Sequence, residues 1–120
     1  MNNDEVSFGA KVRELRGAKG FGLREFAKMV HMSPTYLSKV ERGEFAAPAE
    51  EKVKAIADAL GQDADELLAL ANRVSSELAE IIKRQPREMA NFLREANGLS
   101  AEEMHRLVEE ARRLKKEEGT

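Results

Sequence analysis

The chain has 120 residues, 20 of them Lys or Arg and 22 Asp or Glu, for a net charge of −2, with 42% hydrophobic residues and no cysteine. No disulfide framework or thiolate metal site can therefore form, and no apolar run is long enough to span a bilayer. The polar, acidic start MNNDEVS lacks the basic and apolar regions of a signal peptide, so the composition predicts a soluble, cytoplasmic protein of one domain, or of a small domain plus an oligomerisation element.

A first helix is predicted over residues 7–18, with Phe8, Val12 and Leu15 as its inner stripe and Gly20 marking its end. Leu23, Phe26, Ala27 and Val30 then recur on one face of a second helix. His31 and Met32 interrupt it, and Ser33-Pro34 restarts the chain as a third helix. Serine at the cap accepts a first-turn N–H, and proline at the first helical position loses only a donor that had no partner. Leu37 and Val40 of this helix face inward, leaving Thr35, Tyr36, Ser38, Lys39 and Arg42 outside. Hydroxyls and cations on an exposed helix face suit hydrogen bonding to phosphates and base edges.

The connection over residues 44–48 follows, with Phe45 expected to fold back on the core. A fourth helix over residues 49–60 carries Val53, Ile56, Ala57 and Leu60 inward, and Gly61 stops it. Asp63 and Glu66 stand three apart before Leu67 and Leu68, a capping-box spacing that starts a fifth.

Three more helices are predicted beyond Ala71. Ser75 and Ser76 can cap one through Arg84, Pro86 opens another through Ala96 that Asn97-Gly98 closes, and Ser100 with Glu103 forms a capping box for the last, with Leu99 and Met104 as a hydrophobic staple. Their apolar positions are Leu78, Ile81 and Ile82, then Met89, Phe92 and Leu93, then Met104, Leu107, Val108, Ala111 and Leu114. These stripes need a cover: a second copy of the chain, another protein, or the first domain. The terminal RRLKKEEG reads as a solvated helix end whose basic charges suit the C-terminal dipole.

The arrangement of Ala27 inside the second helix, Ser33 at the cap, Leu37 and Val40 in the core, and the Glu41-Arg42-Gly43 ending resembles the helix-turn-helix of the lambdoid repressor and Cro (XRE) family. The resemblance runs from about Phe8 to Leu68. It implies an all-α fold: a five-helix repressor-like helix-turn-helix domain over residues 7–72, followed by a C-terminal helical element over residues 75–117. It further implies that the third helix enters the major groove of double-stranded DNA, with Pro34, Thr35, Tyr36, Ser38 and Lys39 at or near base edges. Lys11, Arg24, Lys28 and Arg42 are candidate phosphate contacts, with the backbone N–H groups near Gly22. Arg16 and Glu41 occupy positions of a paired arginine and glutamate that fixes the tilt of the reading helix. Dimers of this family meet two half-sites, which favours pairing of the C-terminal stripes with a second copy.

The sequence departs from the family where Gly22 replaces the usual Ser or Thr cap and Leu23 replaces a phosphate-contacting glutamine. His31 also stands in place of the glycine usual in a left-handed turn, a conformation histidine tolerates better than most residues. An acidic isoelectric point argues against a generic nucleic-acid binder, yet the charge is uneven. Residues 1–43 hold eight basic and five acidic side chains, whereas residues 44–66 hold seven acidic and two basic.

Nothing in the chain reads as a catalytic or cofactor motif. His31 and His105 are far apart without cysteine, and His105 with Glu109 lies on the polar face of the last helix. No enzyme activity, metal or cofactor is expected. The reading is a sequence-specific DNA-binding regulator, a homodimeric repressor of a pseudo-palindromic operator. The alternative is an antitoxin, or a repressor controlled by a protease or partner, whose C-terminal helices bind another protein.

Overall fold

The computed structural model describes residues 7–119, so the polar start before Ser7 lies outside the described residues. The described residues form eight α-helices: α1 (Phe8–Ala18), α2 (Leu23–Met29), α3 (Pro34–Glu41), α4 (Glu50–Leu60), α5 (Ala64–Leu70), α6 (Ser76–Arg84), α7 (Pro86–Ala96) and α8 (Ala101–Glu118). The all-α class is as expected, and among the described residues no helix is long and apolar enough to cross a membrane.

Two compact units divide the chain after Leu78. In the first, the inward stripes of five helices meet in one core. Val12, Phe26, Leu37, Ile56, Leu60 and Leu68 are fully buried there, with Leu15, Leu23 and Tyr36 packed at its edge. The helix starts follow local chemistry. Ser7 accepts the Ala10 N–H at 3.1 Å, Ser33 the Tyr36 N–H at 3.1 Å, and Asp63 the Glu66 N–H at 3.0 Å. Gly61 ends α4 at φ 67°, a left-handed value at which a side chain would be strained.

Phe45 does not fold back on the core. It is 47% exposed and lies instead against α3, its ring 5.8 Å from that of Tyr36 and tilted to it. Tyr36 and Ala47 are the side chains of this region that pack against the core, and Phe45 borders a cleft with Phe8, Val40 and Leu70.

The start of α6 is tied to α4 through Ser76. Glu50 accepts the Ser76 N–H at 2.9 Å and the Ser76 hydroxyl at 3.2 Å, and it pairs with Lys54 at 2.9 Å. The Lys54 hydrogen bond, followed by the Ser76 N–H, holds the Glu50 carboxyl below the usual carboxylate range. Just upstream, the Arg73 guanidinium donates to the Pro48 and Ala47 carbonyls at 2.5 and 2.6 Å. These ties carry the first unit through Leu78, past the boundary expected at residues 72–75.

The second unit comprises the remainder of α6 with α7 and α8. Ala96 is its one buried residue among those described. Phe92, Leu93, Val108 and Leu114 are 45–53% exposed, Ile81 and Met104 are each 38% exposed, and Ile82, Met89 and Leu107 are half-buried. The helices themselves are well specified. Ser100 and Glu103 bond reciprocally at the start of α8, at 2.9 and 3.1 Å, and its outer face carries Arg112–Glu109 and Arg113–Glu110 pairs.

Candidate nucleic-acid interface

The turn between α2 and α3 sets the exposed helix. His31 takes φ 57°, the left-handed value expected for this turn, and the Met32 N–H reaches back to the Ala27 carbonyl at 2.9 Å. Lys52, from α4, donates to the Val30 and His31 carbonyls at 3.0 and 2.9 Å. An ammonium at the C-terminal end of α2 satisfies two orphan carbonyls and complements the helix dipole. Lys52 thus braces the strained turn from behind, a role invisible to local pattern because the partners lie 21 and 22 residues away.

With Leu37 and Val40 locked into the core, α3 presents a defined outer face. Pro34 and Thr35 are exposed at its start, while Tyr36, Ser38 and Lys39 are half-buried along it. Ser38 Oγ accepts from Arg42 Nη1 at 2.8 Å, and Arg42 also pairs with Glu44. The far end of α3 is anchored to α1. Arg16 Nε and Nη2 donate to the two carboxylate oxygens of Glu41 at 2.8 and 2.9 Å, and Nη1 donates to the Phe21 carbonyl at 2.8 Å. Glu41 is buried, and its hydrogen bond raises the Arg16 pKa above the ordinary value even though burial opposes this.

Two adjoining clefts run beside this helix. One is lined by Arg13, Arg16, Leu23, Ser38, Glu41 and Arg42, the other by Leu23, Arg24, Pro34, Thr35, Ser38 and Arg42. The fold therefore brings Arg24 and Arg42 together with Thr35 and Ser38. It adds Arg13, which the sequence reading missed, although Arg13 precedes Arg16 by three and so shares its helix face. Arg16 is neutralised by Glu41, whereas Arg13 and Arg24 are exposed. Planar guanidiniums at the walls of such a cleft suit bidentate bonds to phosphate oxygens.

The other candidate phosphate contacts lie elsewhere. Lys11 is half-buried with Nζ 3.7 Å from Glu14, Lys28 is exposed on α2, and neither lines these clefts. The Gly22 N–H donates to Glu25 Oε1 at 3.2 Å, so a carboxylate already occupies the position expected for an anion there. Leu23 packs against the core, which accounts for an apolar residue at a position where a polar contact is usual. Among the described residues no cluster of His, Cys, Asp and Glu could hold a metal ion.

A family described as a helix-turn-helix domain matches residues 7–70. No curated protein sequence matches the chain. Among solved structures, the clp gene regulator ClgR from C. glutamicum is similar at 37% identity, covering 54% of this chain and 83% of that one, with a TM-score of 0.47. SinR, described as the master regulator for biofilm formation and solved in complex with DNA, is similar at 26% identity over 51% of this chain and 97% of its own, with a TM-score of 0.48. A SinR–SinI protein complex shares the fold at 19% identity over 91% of this chain and 98% of that one, with a TM-score of 0.50. With more than half of its length matched, this chain belongs to the XRE-like helix-turn-helix family of DNA-binding regulators.

Proposed function

We propose that the protein is a sequence-specific transcriptional repressor that acts in the cytoplasm as a homodimer, by binding rather than by catalysis. The observation that carries this reading is the capped, exposed start of α3 beside clefts walled by Arg13, Arg24 and Arg42. Pro34, Thr35, Tyr36, Ser38 and Lys39 lie over the base edges in this reading, and the arginines hold the flanking phosphates. With a net charge of −2, attraction to DNA comes from this local face, so affinity falls steeply with salt. Repression follows where the bound dimer covers a promoter.

Lys39→Ala tests the base-reading role. Affinity for the preferred duplex is expected to fall by about 1–3 kcal/mol, with discrimination lost at one or two base pairs. A uniform loss over all duplexes would reassign Lys39 to a phosphate.

Residues 75–117 supply the assembly surface in this reading. Apolar side chains at three- and four-residue spacing on α6, α7 and α8 stand open in the single chain, and a second copy would cover them. Sedimentation equilibrium at micromolar concentration is expected to give a dimer that Leu107→Glu and Leu114→Glu dissociate. A strictly monomeric parental chain would contradict homodimerisation. The same exposed stripes favour one other reading, in which a different protein covers them and controls the repressor; a monomer that copurifies with a stoichiometric partner would establish it.

A further inference from the structure

Phe45 is large, apolar and half-exposed. The backbone N–H groups of Glu44 and Phe45 both converge on the Lys39 carbonyl, at 2.9 and 3.3 Å. This pins the connection after α3 back along the helix. The Phe45 ring then lies 5.8 Å from the Tyr36 ring at an interplanar angle of 50°, and Lys39 Nζ stands 5.1 Å from its centroid. Tyr36 in turn leans on the hydrophobic core. Core packing does not explain a ring that stays outside the core. Two of the five residues assigned to base edges lie against the ring.

The face of an aromatic ring attracts a cation, and tilted aromatic pairs hold a preferred geometry. Lysine otherwise carries its charge on a flexible four-carbon stem, as a point charge free to follow the phosphates. Phosphate contacts position a protein on DNA but carry no sequence information directly. We propose that Phe45 is a positioning residue for DNA reading: its ring orders Tyr36 and holds the Lys39 ammonium toward the base edges, so that Phe45 contributes to specificity without touching a base. This rests on the assignment of α3 to the major groove.

The test compares the full parental chain with Phe45→Leu, Phe45→Tyr and Lys39→Ala on the duplex that the parental chain enriches from random sequence and on its single-base variants, alongside thermal melts. Leucine keeps an apolar side chain but removes the ring face; Phe45→Met repeats the comparison with a more flexible side chain. Both are expected to weaken the preferred duplex about three- to tenfold, to flatten preference at the base pairs that Lys39→Ala affects, and to leave the melting temperature and nonspecific binding unchanged. Phe45→Tyr is expected to restore preference. Unchanged discrimination in Phe45→Leu and Phe45→Met overturns the positioning role, as does an equal loss on every duplex or a Lys39→Ala chain that discriminates normally. A folded parental chain that enriches no duplex overturns the DNA-reading assignment itself, and the positioning role with it.

Discussion

Replacing Gly9 with alanine is expected to destabilise the first unit by about 3 kcal/mol or more and to lower its melting temperature by more than about 10 °C. Gly9 lies buried on α1 where that helix crosses the last turn of α3. A Cβ at this position would fall 2.1 Å from the Val40 carbonyl oxygen, 2.9 Å from that of Glu41 and 3.0 Å from the Glu41 Cα. All three are backbone atoms, so no side-chain rotation relieves the clash, and either α1 or α3 must move. Gly17, on the same helix, provides the control, since a Cβ there would meet nothing within 4 Å. Gly17→Ala is expected to stabilise the fold by about 0.5–1 kcal/mol through helix propensity. Thermal melts of the two variants should therefore shift in opposite directions. Equal, small shifts would show that α1 and α3 do not meet as closely as described.

Loss of either partner of the Arg16–Glu41 bridge is expected to cost about 3–5 kcal/mol, because the remaining charge is left buried and unpaired. Glu41→Ala strands a guanidinium that keeps only its bond to the Phe21 carbonyl. Arg16→Ala strands a carboxylate whose side chain is only 3% exposed. Arg16→Lys should rescue poorly, since one ammonium cannot reproduce a fork that grips both carboxylate oxygens and a carbonyl. The double replacement Arg16→Met with Glu41→Leu removes both charges and is expected to recover most of the lost stability. Chemical denaturation of the two single variants and the double variant checks this. Singles that lose less than about 1 kcal/mol would place the bridge in the class of solvent-screened surface pairs. The double variant carries a functional expectation too: without the bridge, the tilt of α3 is free to vary, so DNA affinity should remain low after stability returns.

Much of the fold was legible because it is written in short-range chemistry. The Ser33-Pro34 start of α3, the Gly61 stop of α4 and the Ser100–Glu103 box of α8 all depend on residues within one turn of each other. The apolar stripes of α1 to α5 fixed which faces meet, and His31 stood out because its turn demands a left-handed residue. The contacts that escaped notice join residues more than twenty apart. Lys52 braces the His31 turn, Arg73 clamps the Ala47 and Pro48 carbonyls, and Glu50 takes the start of α6. No periodicity announces such pairings, because they depend on where whole helices come to rest. Gly9 was overlooked for the same reason: on sequence it is an ordinary helical glycine, and only the approach of α3 makes it obligatory. Phe45 misled in the opposite sense. Its hydrophobicity suggested the core, but the two N–H bonds to the Lys39 carbonyl fold the connection along the outside of α3.

The interface was legible in kind and altered in detail. Thr35, Ser38, Arg24 and Arg42 share adjoining clefts, Arg13 joins them, and the Gly22 N–H is taken by Glu25. The central claim is that this surface reads a DNA sequence. Selection of binding sites from random duplex DNA by the full-length, folded chain, repeated at two salt concentrations, tests it most directly. The account predicts an enriched pseudo-palindrome whose half-sites are centred about one helical turn, roughly 10 base pairs, apart, with binding that weakens as salt is raised. Failure of the folded chain to enrich any sequence at either salt concentration would contradict it.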